Sequence, residues 1–323
     1  MDVAARAGVS MKTVSRVLNG EAHVRDALRD RVRAAVSDLG YRPNLAARQL
    51  AGNRSFVIAY PFGNPSNNYI AEILIGAANA ARDRGYHLVS EPIEADDNAE
   101  RLLAHLFTRI KPDGVVITPP LGDVPEVVAQ IERAGIPLVR IAGEPDRYGA
   151  ALALQDREIS ADMVRHLHEL GHRRIAFIKP HPGHRLAQDR YRGYLDALEA
   201  LGLPLEPELV RPGLFDVASG VHAAEELLAL PAPPSAIFAA NDDMALGALQ
   251  VAHRRGLRVP DDIAVAGFDD SLAGALTWPP LTTVRQPIQA LGTAAVQSLL
   301  GEDYDGSKLR HELIIRASTR SGD

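Results

Sequence analysis

The amino-acid sequence predicts a small all-α head followed by an α/β body of two lobes, each built on a parallel sheet. Two observations support this prediction. Residues 1–54 contain helical patterns only, whereas from Ser55 onward short runs rich in Val and Ile alternate with amphipathic helical segments. Strand–helix alternation gives parallel sheets covered by helices on both faces. The length of 323 residues and a hydrophobic content of 46% suit a head and two further cores.

The start of the chain predicts two short helices joined by a tight turn. Asp2–Ala7 forms the first, with Val3 and Ala4 facing inward. Gly8 permits the left-handed turn that residues with a Cβ resist. Ser10 can then cap a second helix that runs to about Leu18. This arrangement is a helix-turn-helix, whose second helix can enter the major groove of DNA.

The second helix has an apolar stripe formed by Val14, Val17 and Leu18, and polar side chains on its other faces. Arg and Lys can pair with guanine, and hydroxyl groups suit phosphates or base edges. The alternative is an ordinary solvated face on a small helical bundle. The side chains left on these other faces are Met11, Lys12, Thr13, Ser15 and Arg16.

A third helix and a short segment complete the first 54 residues. Arg25–Leu39 carries apolar residues at helical spacing, and Gly40 ends it. Asn44 is a good N-cap for residues 45–51, a segment of about two turns. Helices shorter than about 12 residues are marginal in water. We therefore expect this segment to become helical only when it packs against a partner and DNA.

Charge is distributed unevenly along the chain. The net charge is −6, but residues 1–55 hold 10 basic and 5 acidic side chains, against 25 and 36 in the remainder. A basic head on an acidic body is expected when one end meets phosphate and the rest avoids it.

Sequence blocks along most of the chain are similar to those of one regulator family. AGVSMKTVSRVLNG and YRPNLAARQLAG come first, followed by LGHRRIAFI, NDDMALGAL, VPDDIAVAGFDD and PPLTTVRQP. In order and spacing, these blocks resemble the LacI family of bacterial transcription regulators. The resemblance implies a homodimer that binds a pseudo-palindromic operator in double-stranded DNA and responds to a small effector, expected to be a sugar or sugar derivative.

The same resemblance implies which residues contact DNA. Leu50 of the two subunits would insert into the minor groove and kink it; the alternative is a linker residue of no special role. The implied DNA contacts are Ser10, Met11, Lys12, Thr13, Ser15, Arg16, Asn19, Tyr41, Asn44, Ala47 and Leu50.

The body is expected to form a periplasmic-binding-protein-like clamshell of two lobes. Four strands form the first lobe, and a second set begins near Arg173. The resemblance returns a helix and a strand within Thr283–Ile315 to the first lobe. The expected divisions are a head of residues 1–43, a hinge helix and linker of 44–54, an N-terminal lobe of 55–156 and 285–316, a C-terminal lobe of 157–284, and a tail of 317–323.

Polar residues follow several predicted strands, and ligands in such sheets bind beyond the carboxyl ends of the strands. Matching the family motifs implies effector contacts from Arg190, Asn241 and Asp269. The aromatic Phe215, with Tyr69 and Gln286, falls on further ligand-facing positions. The alternative for each is a helix cap or a surface group.

Arg140 is unusual because it lies inside the apolar strand IPLVRIAG. An unpaired buried guanidinium is costly. Arg140 is therefore expected either to bind an acidic or phosphorylated effector or to form a salt bridge with Glu144.

Other functions find less support. No cysteine is present and no nucleotide-binding or serine-hydrolase motif occurs, so we expect neither a cofactor nor an enzyme. His168 and His172 have a metal-compatible spacing, but no third ligand is evident, so no metal is expected. A solute-binding protein is the main alternative. The lack of a signal peptide and the basic head argue against it. The lack of a signal peptide and of a membrane span suggests a cytoplasmic protein. Residues after Ile315 lack the heptads of a tetramerising coiled coil, which favours a dimer.

Overall fold

The computed structural model describes residues 2–18, 24–40, 54–63, 66–96, 98–143, 148–180, 184 and 187–320. The chain divides into two compact units, Met1–Ser55 and Phe56–Asp323. We call them the head and the body.

The described part of the head contains the three predicted helices. They are α1 (Asp2–Ala7), α2 (Met11–Leu18) and α3 (Asp26–Asp38). Their shared core is built mainly from small and β-branched side chains, which let short helices approach closely. Val32 of α3 is fully buried at its centre. The buried core residues are Val3, Ala4, Ala7, Val14, Val17, Val32 and Ala35.

The turn between α1 and α2 depends on Gly8. Its φ is +60°, in the left-handed region, as the sequence predicts. A Cβ at this position would lie 2.7 Å from Nη2 of Arg31. That same nitrogen donates a 2.5 Å hydrogen bond to the carbonyl oxygen of Ala7. The missing side chain therefore gives Arg31 room to close the end of α1.

Gly8→Ala is expected to destabilise the head by about 2 kcal/mol, because it combines left-handed strain with displacement of Arg31. Gly40→Ala is the matched control, since Gly40 has φ +54° and nothing within 4 Å of its added Cβ. It should show the backbone penalty alone. Hydrogen exchange of the α2 amides measures both variants, and equal opening free energies would contradict the role given to Arg31.

The first lobe of the body is a five-stranded parallel sheet in the order β2-β1-β3-β4-β5. Its three inner strands are buried apart from the end residues Val57 and Phe62, and apolar residues pack on both faces of the sheet. The strands are β1 (Val57–Phe62), β2 (His87–Pro92), β3 (Gly114–Ile117), β4 (Leu138–Ile141) and β5 (Ala150–Leu152), and the helices between them are α4 (Asn67–Asp83), α5 (Ala99–Ile110) and α6 (Pro125–Arg133).

The second lobe is a four-stranded parallel sheet in the order β7-β6-β8-β9, with a separate core. Its strands are β6 (Ile175–Ile178), β7 (Val210–Arg211), β8 (Ala236–Ala239) and β9 (Ala264–Ala266), and its helices are α7 (Asp156–Glu169), α8 (Ala187–Ala200), α9 (Val217–Leu227), α10 (Asp242–Arg254) and α11 (Leu272–Leu276). β5 and β7 were not predicted, because three and two residues are too few to show an alternating pattern.

The last part of the chain is shared between the two lobes. Helix α12 (Ile288–Leu299) packs on α4 in the first lobe, as expected. The strand does not follow it. β11 (Glu312–Ile314) pairs antiparallel with β10 (Thr283–Arg285), and Leu313 packs on the second core. Ser318, expected in a tail, is fully buried and donates its hydroxyl to the carbonyl oxygen of Val265.

No helix among the described residues combines the length and the apolar composition needed to cross a bilayer.

Candidate functional sites: an exposed head helix and a cavity between the lobes

Helix α2 presents a polar face outside the head core. Ser10 caps the helix, since its Oγ accepts a 3.1 Å hydrogen bond from the Thr13 amide. Val14 and Val17 are buried beneath it, as predicted. Met11 is 58% exposed, and Lys12, Ser15 and Arg16 are exposed as well. The geometry suits insertion of this face into a groove lined by acceptors.

Other residues predicted to contact DNA lie outside the described residues. They are Asn19, Tyr41, Asn44, Ala47 and Leu50. The expected hinge helix falls within the same part of the chain, so both remain predictions.

The body brings together six of the seven residues that were expected to contact an effector. All six line one cavity between the two sheets. Tyr69 comes from α4 of the first lobe, whereas the others follow strands or begin helices of the second lobe and its connections. The six residues are Tyr69, Arg190, Phe215, Asn241, Asp269 and Gln286.

Arg190 is held in place at the cavity wall by three kinds of contact. Its Nε donates to Oδ2 of Asp156 at 2.8 Å, and its Nη1 donates to the carbonyl oxygen of Ala240 at 2.6 Å. The guanidinium carbon lies 3.7 Å from the centre of the Phe268 ring, a cation–π distance. The same Nη1 is 3.8 Å from Oδ1 of Asp269. A ligand thus meets a fixed cation between two carboxylates.

Asp269 is buried in a conformation that few residues adopt. Its φ is +125°, and the next residue, Asp270, also has a positive φ. Gln286 donates its Nε2 to Oδ1 of Asp269 at 2.5 Å. Burial raises the pKa of Asp269 to about 8, with Arg190 opposing the rise and Asp242 adding to it. Asp269 can therefore offer either a proton or an acceptor to a bound hydroxyl group.

Asp269→Asn is expected to remove a pH dependence of stability. A carboxyl group with a raised folded pKa stabilises the folded state below its unfolded pKa, about 4. That stability is lost as the pH rises through about 8. The melting temperature of the natural protein, relative to Asp269→Asn, should therefore fall between about pH 4 and pH 8.

The control for this prediction is Asp262→Asn. Asp262 is hydrogen-bonded by Arg258, which lowers the pKa of its carboxyl group to about 2. The folded and unfolded pKa values of this carboxyl group, about 2 and about 4, lie at or below the lower end of the tested range, so the slope above about pH 5 should not change. Equal slopes for natural protein and Asp269→Asn would refute the prediction.

Asn241 and Phe215 contact each other at the N-terminus of α10. The Asn241 side chain caps this helix, accepting the Met244 amide at 3.0 Å, and its Nδ2 donates to the carbonyl oxygen of Phe215 at 3.1 Å. Phe215 has φ +65° and meets the His184 ring edge-on at 5.0 Å. The cap considered as the alternative for Asn241 is thus present, while the residue also lines the cavity.

Arg140 departs from the expectation of an effector contact. Its side chain is 1% exposed and is not among the residues that line the cavity. The Nε donates to the carbonyl oxygen of Tyr148 at 3.1 Å, and Cβ and Nη1 lie close to Gly143. Alternation along β4 turns Arg140 toward the α5 and α6 side of the sheet. Glu144, the other predicted partner, lies outside the described residues.

Sequence reasoning missed three polar residues of the cavity wall: Ser66, Asp156 and His184. Asp156 is the first residue of α7. Acidic residues at that position are common for helix-dipole reasons. An acidic residue at a helix start is therefore only weak evidence that Asp156 lines a binding site.

Comparisons with known proteins agree with this architecture. Residues 1–44 match the family model described as bacterial regulatory proteins, lacI family, and residues 164–319 match a periplasmic binding protein-like domain. The chain is 34% identical over 329 residues to the HTH-type transcriptional repressor CytR of Escherichia coli (strain K12), covering 99% of this chain and 96% of that protein. The chain belongs to the LacI family.

Further LacI-family relatives support the same assignment. The HTH-type transcriptional regulator CelR of Thermobifida fusca is 36% identical over 232 residues, covering 69% of this chain and 68% of that protein. A lac repressor dimer bound to operator and the anti-inducer ONPF superposes with a TM-score of 0.78 at 29% identity, covering 98% of each chain. A CelR–cellobiose complex has a TM-score of 0.73 at 30% identity, again over 98% of each chain. This LacI-family protein is a DNA-binding transcription regulator with a helix-turn-helix head.

Proposed function

We propose that this regulator is a homodimeric repressor of carbohydrate-utilisation genes, released from a pseudo-palindromic operator by a sugar-type effector. The main support for a sugar-type effector is the cavity wall, where the fixed Arg190 side chain lies between Asp156 and Asp269. Alternating donors and acceptors of this kind suit the vicinal hydroxyl groups of a sugar. The related CelR was crystallised with cellobiose.

The cavity favours a neutral ligand rich in hydrogen-bond donors. Oε1 of Gln286 is buried without a hydrogen-bond partner among the described residues. A buried acceptor left unpaired is costly, so a ligand hydroxyl that reaches it gains affinity. The guanidinium of Arg190 is already paired with Asp156, so it offers an anionic ligand little net positive charge. Phe215 and Tyr69 add apolar surface for the face of a sugar ring.

A second copy of the chain is the proposed partner of an exposed apolar patch on the second lobe. Leu272, Leu276 and Trp278 are 71%, 76% and 81% exposed, although all are large apolar side chains. Contiguous exposed apolar surface marks an interaction site. Light scattering should show a dimer at micromolar concentration, and Leu276→Asp should shift it toward monomer.

The relatives are regulators rather than enzymes, which supports a non-enzymatic role for this cavity. We place the protein in the cytoplasm with the nucleoid, because a regulator of this kind acts on DNA. The alternative within the same fold is a co-repressor-dependent regulator or an activator. The sign of the effector's influence on operator affinity distinguishes them.

Arg16→Ala is expected to weaken operator binding by about 1–3 kcal/mol while affecting unrelated DNA much less, because a bidentate contact to guanine is lost. Gel shifts at fixed salt concentration measure both affinities. Arg6→Ala is the control. Arg6 is also exposed, but it lies on α1 and forms an ion pair with Asp38 of α3. If Arg16→Ala weakens binding to all sequences equally, Arg16 contacts phosphate instead.

The effector proposal is tested by thermal shift with neutral mono- and disaccharides, including cellobiose, and with their phosphorylated forms. Neutral sugars should raise the melting temperature and phosphorylated forms should not. The active sugar should also reduce operator binding in a gel shift. Stabilisation by phosphorylated sugars alone would overturn the chemistry assigned to the cavity.

A further inference from the structure

The chain passes between the two lobes three times, and each passage carries one buried polar residue at its midpoint. In the first passage, Leu154 packs on the first core and α7 packs on the second. Asp156, the first residue of α7, lies where the chain crosses. Val284 packs on the second core and Ile288 on the first, with Gln286 between them. The third passage runs from Leu309 on the first core to Leu313 on the second, and His311 lies midway. We call these three residues the crossing residues.

Two crossing residues bind cavity side chains directly. Asp156 accepts from Arg190, and Gln286 donates to Asp269. His311 does not line the cavity but lies behind its wall. Its side chain is 1% exposed, and its Nε2 is 3.0 Å from Oδ1 of Asp156. That oxygen faces away from Arg190, which binds Oδ2.

The contact between His311 and Asp156 is electrostatic. The two atoms are at ion-pair distance, but the ring N–H is not aligned for a directional hydrogen bond, and neither atom has a hydrogen-bond partner among the described residues. The ring also lies 5.8 Å from the Phe268 ring on which Arg190 stacks. His311 therefore lies against two of the three groups that hold Arg190, Asp156 and Phe268.

We propose that His311 is a positioning residue for the effector cavity: it holds Asp156 in the orientation that fixes Arg190, and so ties the third passage between the lobes to the bound effector. The proposal rests on the sugar-binding function proposed above.

The network explains how a small ligand could move both lobes. Any change in the angle between lobes must turn the three passages, and each is bonded to the cavity wall through its crossing residue. A ligand that pairs with Arg190 and Asp269 differently in two lobe arrangements shifts their balance by that difference in affinity. Without His311, the third passage would keep its pairing with β10 but would lose its own contact with Asp156.

Charged groups around His311 keep Asp156 ionised. Asp156 faces His311 from α7, Arg190 lies beyond Asp156 on α8, and Asp269 follows β9. Burial raises the pKa of Asp156, but Arg190 and His311 outweigh burial and hold that pKa below its ordinary value. The His311 ring therefore lies against a carboxylate rather than a carboxylic acid.

The first experiment needs no sugar and uses the full chain. His311→Leu, Asp156→Asn and the double variant are compared by urea unfolding of the body, followed by circular dichroism. The unfolding equilibrium constant of the double variant should be about tenfold smaller than the value expected if the two single substitutions acted independently. His311→Gln should retain much of the natural stability, because the amide keeps the positive end of an N–H dipole near Asp156.

The matched control is His166, which is also a buried histidine but bonds to Thr319 in the second core at 3.0 Å. His166→Leu should be additive with Asp156→Asn. Additive behaviour of His311→Leu as well would overturn the inference, whatever the protein binds.

The second experiment measures sugar affinity by calorimetry, with cellobiose and any monosaccharide that stabilises the natural protein. His311→Leu should weaken binding about tenfold, and His311→Gln should restore it to within about threefold. Unchanged affinity in His311→Leu would overturn the positioning role. If no sugar binds the natural protein while the His311–Asp156 coupling is present, the proposed function fails but the structural link remains.

Discussion

Replacement of Arg190 by methionine is expected to lower the free energy of unfolding of the body by about 3–5 kcal/mol, because it breaks a buried ion pair and leaves its partner charged. Asp156, the partner, is 1% exposed. The change also removes the donor to the Ala240 carbonyl oxygen and the cation above the Phe268 ring. Urea denaturation followed by circular dichroism measures the loss.

The double variant Arg190→Met/Asp156→Asn is the control. Replacing both members of a buried pair is far less costly than removing one. We expect it to recover more than half of the lost stability, while sugar binding stays absent in both variants. A double variant no more stable than Arg190→Met would show that the ion pair is not the source of the effect.

Gly76→Ala is expected to destabilise the body by about 3 kcal/mol, although alanine favours helices over glycine by about 1 kcal/mol. Helix α4 touches α12 through its backbone at this position. A Cβ on Gly76 would overlap the carbonyl oxygen of Gln289. The reciprocal contact brings a Cβ on Gly292 within 2.5 Å of the carbonyl oxygen of Ile73. The two helices cannot accept a methyl group without separating.

Ala78→Gly on the same helix is the matched control. Ala78 is exposed, so its loss should cost about 1 kcal/mol through helix propensity alone. The informative result is that adding a methyl group at 76 and removing one at 78 both destabilise the body. Stabilisation by Gly76→Ala in urea denaturation would contradict the close helix contact.

Local signals explain why the head and most body elements were predicted closely. Gly8 has the left-handed conformation expected of it, Gly40 follows the end of α3 as predicted, and Ser10 caps α2. The amphipathic segments between the strands of the body are observed as helices.

Positions in the cavity were predictable where they follow strands, because the carboxyl ends of parallel strands converge on one edge. Asp269 and Asn241 are of this kind, and both line the cavity. Arg140 also lies near a strand end, but its side chain turns to the other layer of the lobe. A shift of one residue along a strand reverses the face, so a pattern buried on both faces cannot assign it.

The sequence by itself determined the class of the protein, the helix-turn-helix head, the alternation that builds two parallel sheets, and the residues gathered at their strand ends. Only the tertiary structure decided the course of the last strand, the close contact of Gly76 with α12, and the meeting of Asp156, Gln286 and His311 at the three passages between lobes. The physical reason is the distance along the chain over which each interaction acts. Caps, turns and periodicity act within a few residues, whereas His311 and Asp156 lie 155 positions apart in the chain and are brought together only when both lobes have formed.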